Sequence, residues 1–236
     1  MISCAIHQPN FFPRPSTLAK LLQADVWVVL DNVQFNARDY QHRTRLAALA
    51  DPTAQQWLSL PVSRPNGRAS LISELRLADR ETGRRRVEQL IRQYYRRAPY
   101  WSAIGDCVEK VGFALEFVDG LSEVAEQSTL ALLSLLGWQG RVERSSALEA
   151  RCGRSVRLAD LTKAVGAETY VCGPGGSRYL DKRPFTELGI SVSFQAPPPW
   201  TRKPETRAVS ALRVLASYGP EAVREWLAPP VHLSAV

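Results

Sequence analysis

His7-Gln8-Pro9-Asn10 places an imidazole and two carboxamides within four residues, directly after an apolar segment at 2–6. Three such groups cannot all point into a core, so they read as lining a cleft, with His7 as the natural general base near neutral pH. The alternative is a satisfied structural histidine beside an asparagine turn. A second cluster, Asp31-Asn32-Val33-Gln34-Phe35, follows the next apolar run and adds a carboxylate and the Gln34 carboxamide. Asp31 could orient His7, grip a substrate amine or ribose hydroxyl, or cap a turn. Arg43 and Arg45 lie two apart and share one face of an extended segment, where they could hold an anion or stand as ordinary solvated arginines. The third cluster is Gly173-Pro174-Gly175-Gly176-Ser177-Arg178. Consecutive backbone N–H groups, a hydroxyl and a guanidinium make an anion cradle, although a plain tight turn has the same composition. The order of glycines matches neither a P-loop nor a dinucleotide fingerprint.

Other chemistries find less support. No Gly-x-Ser-x-Gly elbow is present, and Cys4 and Cys172 fall in or beside expected strands with no base nearby, so both read as spectators. Cysteines at 4, 107, 152 and 172 have neither CxxC nor zinc-ligand spacing, which predicts reduced thiols and no metal site. His42 and His232 carry weaker signals than His7. All but five of the 30 basic residues are arginine, against 23 acidic ones, for a net charge of +7. Guanidinium-rich surfaces suit carboxylates and phosphates, so the partner is expected to be anionic. Nucleic acid is not expected, because the arginines are dispersed and no recognised motif accompanies them. No apolar run approaches the length that crosses a bilayer and no signal-like segment opens the chain, so a cytoplasmic protein without a membrane partner is expected.

These residues need positioning. A chain of 236 residues, 45% hydrophobic and 22% charged, predicts one large α/β domain or one domain with a helical appendage. Residues 2–6 read as a buried strand, followed by a helix capped by Ser16 and carrying Leu18, Leu21 and Leu22. The continuous apolar run 26–30 reads as a parallel strand covered on both faces. His7 and Asp31 then fall at carboxyl ends of neighbouring strands, where open α/β sheets bind ligands. A strand at 57–62 and a turn at Pro65-Asn66-Gly67 suggest a hairpin with 71–77. Apolar spacing makes 81–136 helical, and a helix over 155–165 precedes a strand at 169–172 and the glycine loop. A strand at 190–194 ends at Pro197-Pro198-Pro199, and 210–227 reads as a helix interrupted at Gly219-Pro220. The expected organisation is a Rossmann-like, mostly parallel sheet: residues 1–80 form one half, 81–140 a helical segment, and 141–236 the second half with the glycine loop and C-terminal helix.

The same residues resemble the WbqC-like family of bacterial proteins. The likeness runs through Ile6-His7-Gln8-Pro9-Asn10-Phe11-Phe12-Pro13, residues 24–35 (ADVWVVLDNVQF), 41–46 (QHRTRL), 57–62 (WLSLPV), the Ser145-Ser146 pair and 170–181 (YVCGPGGSRYLD). It covers essentially the whole chain, with three departures. Arg14-Pro15-Ser16-Thr17 stands where the family has an aromatic-Leu-Gly run, Pro197-Pro198-Pro199-Trp200-Thr201 replaces a His-Pro-Tyr-x-Gln-like stretch, and Arg213 stands where Asp is common. The family's association with polysaccharide and specialised-metabolite gene clusters implies a biosynthetic enzyme. A more distant likeness is to pantothenate synthetase-type nucleotidyltransferases, through Gln34-Phe35, Arg43 and Ser177-Arg178-Tyr179-Leu180 in similar order, although the paired histidines of that family are absent.

The expected function is therefore transfer of an acyl or aminoacyl unit onto an amine or hydroxyl of a sugar or metabolite intermediate. His7 and Asp31 would be catalytic, and Gln8, Asn10, Gln34, Arg43 and Arg45 would bind substrate. Gly173, Gly175, Gly176, Ser177 and Arg178 would hold an anionic carrier, such as coenzyme A or the phosphopantetheine of an acyl or peptidyl carrier protein. An ATP-dependent ligase or nucleotidyltransferase and a non-catalytic binding module are the alternatives.

Overall fold

Two segments with no polar face, Cys4-Ala5-Ile6 and residues 26–29, become neighbouring interior strands of one parallel sheet. A computed structural model describes residues 1–196, 198–202 and 204–228. In chain order the elements are β1 (Ser3–His7), α1 (Pro15–Leu21), β2 (Val26–Val29), β3 (Arg43–Ala47), β4 (Gln55–Ser59), β5 (Val62–Ser63) and β6 (Arg76–Leu77). Three helices follow, α2 (Arg80–Tyr95), α3 (Trp101–Phe117) and α4 (Leu121–Leu135). The chain continues through β7 (Arg141–Arg144), α5 (Arg154–Ala164), β8 (Thr169–Cys172), α6 (Arg183–Glu187), β9 (Ser191–Phe194), α7 (Pro204–Arg207) and α8 (Leu212–Leu227).

The main sheet has the order β7-β2-β1-β8-β9, and every pair is parallel. The chain builds outward from β1 through β2 to β7, then returns to β8 on the other side of β1. The order thus reverses between β1 and β8, the position at which a Rossmann-like sheet opens a crevice beyond its carboxyl ends. Alternation along the strands divides the apolar residues between two cores. Cys4, Ile6, Val26 and Val28 pack with Ala159 and Leu161 of α5 and Phe185 of α6. Ala5, Trp27 and Val29 point the other way, into a larger core with Leu18 of α1, Leu132 of α4 and Leu215 of α8. Among the described residues no helix is long and apolar enough to cross a membrane.

Several local expectations need correction. The N-cap of α1 is Arg14 rather than Ser16, because Pro15 takes the first helical position, where its missing N–H costs nothing. The strand expected at 57–62 splits into β4, which pairs antiparallel with β3, and β5, which pairs with β6 across the Pro65-Asn66-Gly67 turn. The helical middle and the break in α8, where Gly219 has φ +80° before Pro220, are as the pattern predicts.

The segment joining β1 to α1 is held under strain. Phe12 is fully buried with φ +43°, in the left-handed region that non-glycine residues rarely adopt. Its N–H donates to Ser128 Oγ of α4 at 2.9 Å, and its carbonyl accepts from Thr44 Oγ1 of β3 at 2.9 Å. The Asn10 carbonyl accepts from Thr129 Oγ1 at 2.8 Å. Three side chains from distant elements thereby fix the course of the backbone that leaves His7.

Candidate functional site

A cleft of about 900 Å³ opens at the β1/β8 switch point. Its floor and walls include His7, Gln8 and Asn10 after β1, and Gly173, Gly175 and Gly176 after β8. Two of the three sequence clusters therefore meet there. Ser177 belongs to the same short turn, Gly176–Arg178, but its side chain lies outside the described part of the structure. Gly176 cannot carry a side chain, since a Cβ would overlap the Cys172 sulfur beneath the turn. Arg178 is exposed and does not line the cleft.

The second cluster, at Asp31, resolves differently. Asp31 is buried and turned toward β7: Oδ1 accepts from the Ser146 N–H at 2.9 Å and from Ser145 Oγ at 3.0 Å, and Oδ2 accepts from Ser146 Oγ at 2.7 Å. Its geometry is that of a clamp between the ends of β2 and β7, which corrects the expectation that it orients His7. Gln34 also lies away from the cleft and donates to the Arg68 carbonyl at 2.8 Å. Arg43 and Arg45 share a strand face as expected, but that face holds Trp57, whose ring lies 4.1 Å and 4.5 Å from their guanidinium carbons. Arg43 also donates to the carbonyls of Arg38 and Asp39, so both arginines brace the β3–β4 hairpin instead of lining the cleft. Arg213 does similar work, donating to the Ala48 and Leu49 carbonyls. His42 packs edge-on to Phe35, and His232 lies outside the described residues.

His7 does face the cleft. Its Nδ1 lies 2.8 Å from the Gln8 carbonyl, which only a protonated nitrogen can satisfy, so the lone pair is on Nε2. Burial, Lys20 and Arg14 push the imidazolium down to about 3, against the weaker raising effect of the Gln8 carbonyl. His7 is thus neutral throughout the physiological range. Gln8 lies beside it and accepts from the buried Gln41 at 2.6 Å.

The sequence clusters missed most of the positive charge. Lys20 of α1 is buried, reaches the Ile6 carbonyl at 2.6 Å, and sits beneath Gly173 and 5.7 Å from the Tyr170 ring centroid. It makes no ion pair with a carboxylate among the described residues. Burial lowers the ammonium to about 8, although the neighbouring Cys172 and Cys4 sulfurs act in its favour. Burial in turn raises the Cys172 thiol, leaving little thiolate. Arg14, Arg154 and Arg157 complete the cationic lining, with Asp39 as its acidic member. Arg14 stacks over Tyr40 at 4.3 Å, and Arg157 reaches the Asn32 carbonyl at 3.2 Å. Among the described residues, the Nε atoms of both arginines are buried without a hydrogen-bond acceptor. The first turn of α5 also opens onto the cleft. Its N-cap is Gly153, at φ +112°, a residue with no side chain to satisfy the free helical N–H groups. Buried donors without acceptors, a buried ammonium without a counterion and an uncapped helix end are all complementary to an anion.

Residues 8–225 match the WbqC-like protein family. The chain belongs to that family. It is also 28% identical over 196 residues to the uncharacterized protein Rv1507c of Mycobacterium tuberculosis, covering 82% of each chain. No solved structure matches. Within this WbqC-like protein, residues 14–17 contribute Arg14, Ser16 and Thr17 to the cleft. The Ser145-Ser146 pair supplies the clamp on Asp31. Lys20 could have been singled out in the sequence as one of only five lysines, placed between Leu18 and the Leu21-Leu22 pair of a short helix.

Proposed function

We propose that this WbqC-like protein is a biosynthetic group-transfer enzyme whose donor carries its acyl or aminoacyl unit on a phosphate-bearing carrier. The carrying observation is the concentration of Arg14, Lys20, Arg154 and Arg157 around one switch-point cleft, with the glycine turn and the bare start of α5 supplying backbone donors. The anion would lie over Lys20 and the Gly173–Gly176 backbone, which places the reactive end of the donor near His7. An acceptor amine or hydroxyl then attacks the acyl carbon. Its new bond to carbon forms as the bond from carbon to the carrier breaks, His7 Nε2 takes the acceptor's proton, and the departing carrier group receives it. The low basicity of His7 in the free protein comes in part from Lys20 and Arg14, so a bound dianion that offsets those charges raises it. The base is therefore strengthened by its own donor.

Thiol release from coenzyme A thioesters, measured with amine and amino-sugar acceptors, tests this reading. The wild-type protein is expected to show acceptor-dependent release that falls about a hundred- to ten-thousand-fold in His7→Gln. Nucleotide-dependent pyrophosphate release from ATP and a free acid would instead make it a ligase or nucleotidyltransferase, as would suit a Rossmann-like switch point. Binding without product from either donor would leave a binding module.

A further inference from the structure

Tyr179 follows the glycine turn and is the exposed aromatic ring on the cleft, at 56% accessibility, whereas Tyr170 below it is buried. The ring has a partner across the cleft. The guanidinium carbon of Arg154, the first residue of α5, lies 4.6 Å from its centroid, so the two lips of the cleft meet in a cation–π contact. Nothing in the core requires an aromatic residue at this rim. The charges nearby have a count as well as a sign: four cations line the cleft against Asp39, a net of three positive charges. A free nucleoside diphosphate carries about three negative charges near neutral pH, and a diphosphate esterified at both ends about two, either of which offsets most of that charge. A volume of about 900 Å³ also has room for more than a phosphate.

We propose that the carrier is base-bearing: a nucleoside diphosphate moiety, free or as the adenosine end of a coenzyme, whose base stacks on Tyr179 and whose phosphates lie over Lys20 and the Gly173–Gly176 turn. The inference rests on the reading of the cleft as a carrier site and narrows it, since a carrier-protein phosphopantetheine has the phosphate but no base. Base–aromatic stacking tolerates any base, so the platform sets the class of ligand and not its identity.

Calorimetric titration with ADP, inorganic pyrophosphate and 4′-phosphopantetheine separates the two ideas, using the wild-type protein, Tyr179→Ala, Tyr179→Phe and Lys20→Met, each checked for a cooperative melt. ADP is expected to bind roughly ten- to a hundredfold more tightly than pyrophosphate. Tyr179→Ala is expected to remove that advantage while leaving pyrophosphate affinity unchanged, Tyr179→Phe to retain it, and Lys20→Met to weaken both ligands. Equal affinities for ADP and pyrophosphate in the wild-type protein would overturn the base platform and leave the anion site standing. Equal loss of both ligands in Tyr179→Ala, or loss of the ADP advantage in Tyr179→Phe, would mean a disturbed loop or a hydroxyl contact and would overturn it too. If none of the three ligands binds, the carrier reading falls with it.

Discussion

Lys20 shows how one side chain can be set against the fold that holds it. An ammonium with its body in the core and no carboxylate nearby is disfavoured, and the fold lowers it from the ordinary 10.5 to about 8. Between those two values the unfolded chain binds more protons than the native one, so this group makes stability rise with pH across that window. Below pH 8 its unfavourable contribution is fully present. Lys20→Met keeps the aliphatic length and removes the charge, at the loss of one hydrogen bond to the Ile6 carbonyl. The variant is expected to be more stable than wild type at pH 7 by about 2 kcal/mol in urea unfolding, with the difference shrinking from pH 8 to 10.5. A variant less stable at pH 7, or a gap that does not vary with pH, would show that Lys20 is already well compensated without a ligand. A residue that destabilises the free protein while facing a cleft of cations fits a ligand that is absent during unfolding. His7 behaves in the same sense and for a related cause. Burial first, and then the Lys20 and Arg14 charges, hold it neutral, and its stability effect falls between pH 6.5 and about 3, where acid weakens the native state.

The elements place these residues through contacts that the sequence conceals. Ser128 of α4 and Thr44 of β3 bind the N–H and carbonyl of Phe12 in its left-handed conformation. Ser128→Ala would leave a fully buried N–H without an acceptor, at a cost of about 1–3 kcal/mol. The expected result is a fall of that size in unfolding free energy, together with weaker pyrophosphate binding, because Gln8, Asn10 and Arg14 line the cleft from that loop. A change below about 0.5 kcal/mol would mean the turn is held by packing alone. The parallel strands β1, β2 and β8 could be read from their apolar runs, and the helices from their spacing, because burial on both faces or one face leaves a pattern. β7 could not: Arg141-Val142-Glu143-Arg144 is an edge strand with one apolar residue, and only its pairing with β2 makes it a strand. The same is true of side chains. His7, Gln8, Asn10 and the glycines were legible because they end strands in the right topology. Arg43 and Arg45 misled because the Trp57 that stacks between them lies on a partner strand. Lys20, Arg14 and Arg157 converge only once α1 and α5 have packed on opposite faces of the sheet.

At the scale of the whole molecule, the cleft joins residues 6–39 to residues 153–180, so its two walls are brought together only when β8 pairs with β1. Four cations drawn into one crevice repel one another within a protein whose net charge is already +7. An anion that binds there should therefore stabilise the native state as a unit and not merely order a loop. By linkage, a polyvalent anion at a hundredfold excess over its dissociation constant adds about 2.7 kcal/mol. In a chain of this length that is worth about 5–10 °C in melting temperature. Inorganic pyrophosphate is expected to raise the melting temperature by several degrees with a saturable dose dependence, and Lys20→Met to abolish most of that rise. Potassium chloride matched in ionic strength separates the site from general screening, because salt relieves repulsion over the whole surface without recognising the crevice. If the chloride control reproduces the pyrophosphate curve, or if Lys20→Met responds as the wild type does, the stabilisation belongs to the net charge and the switch-point cations are not an anion site.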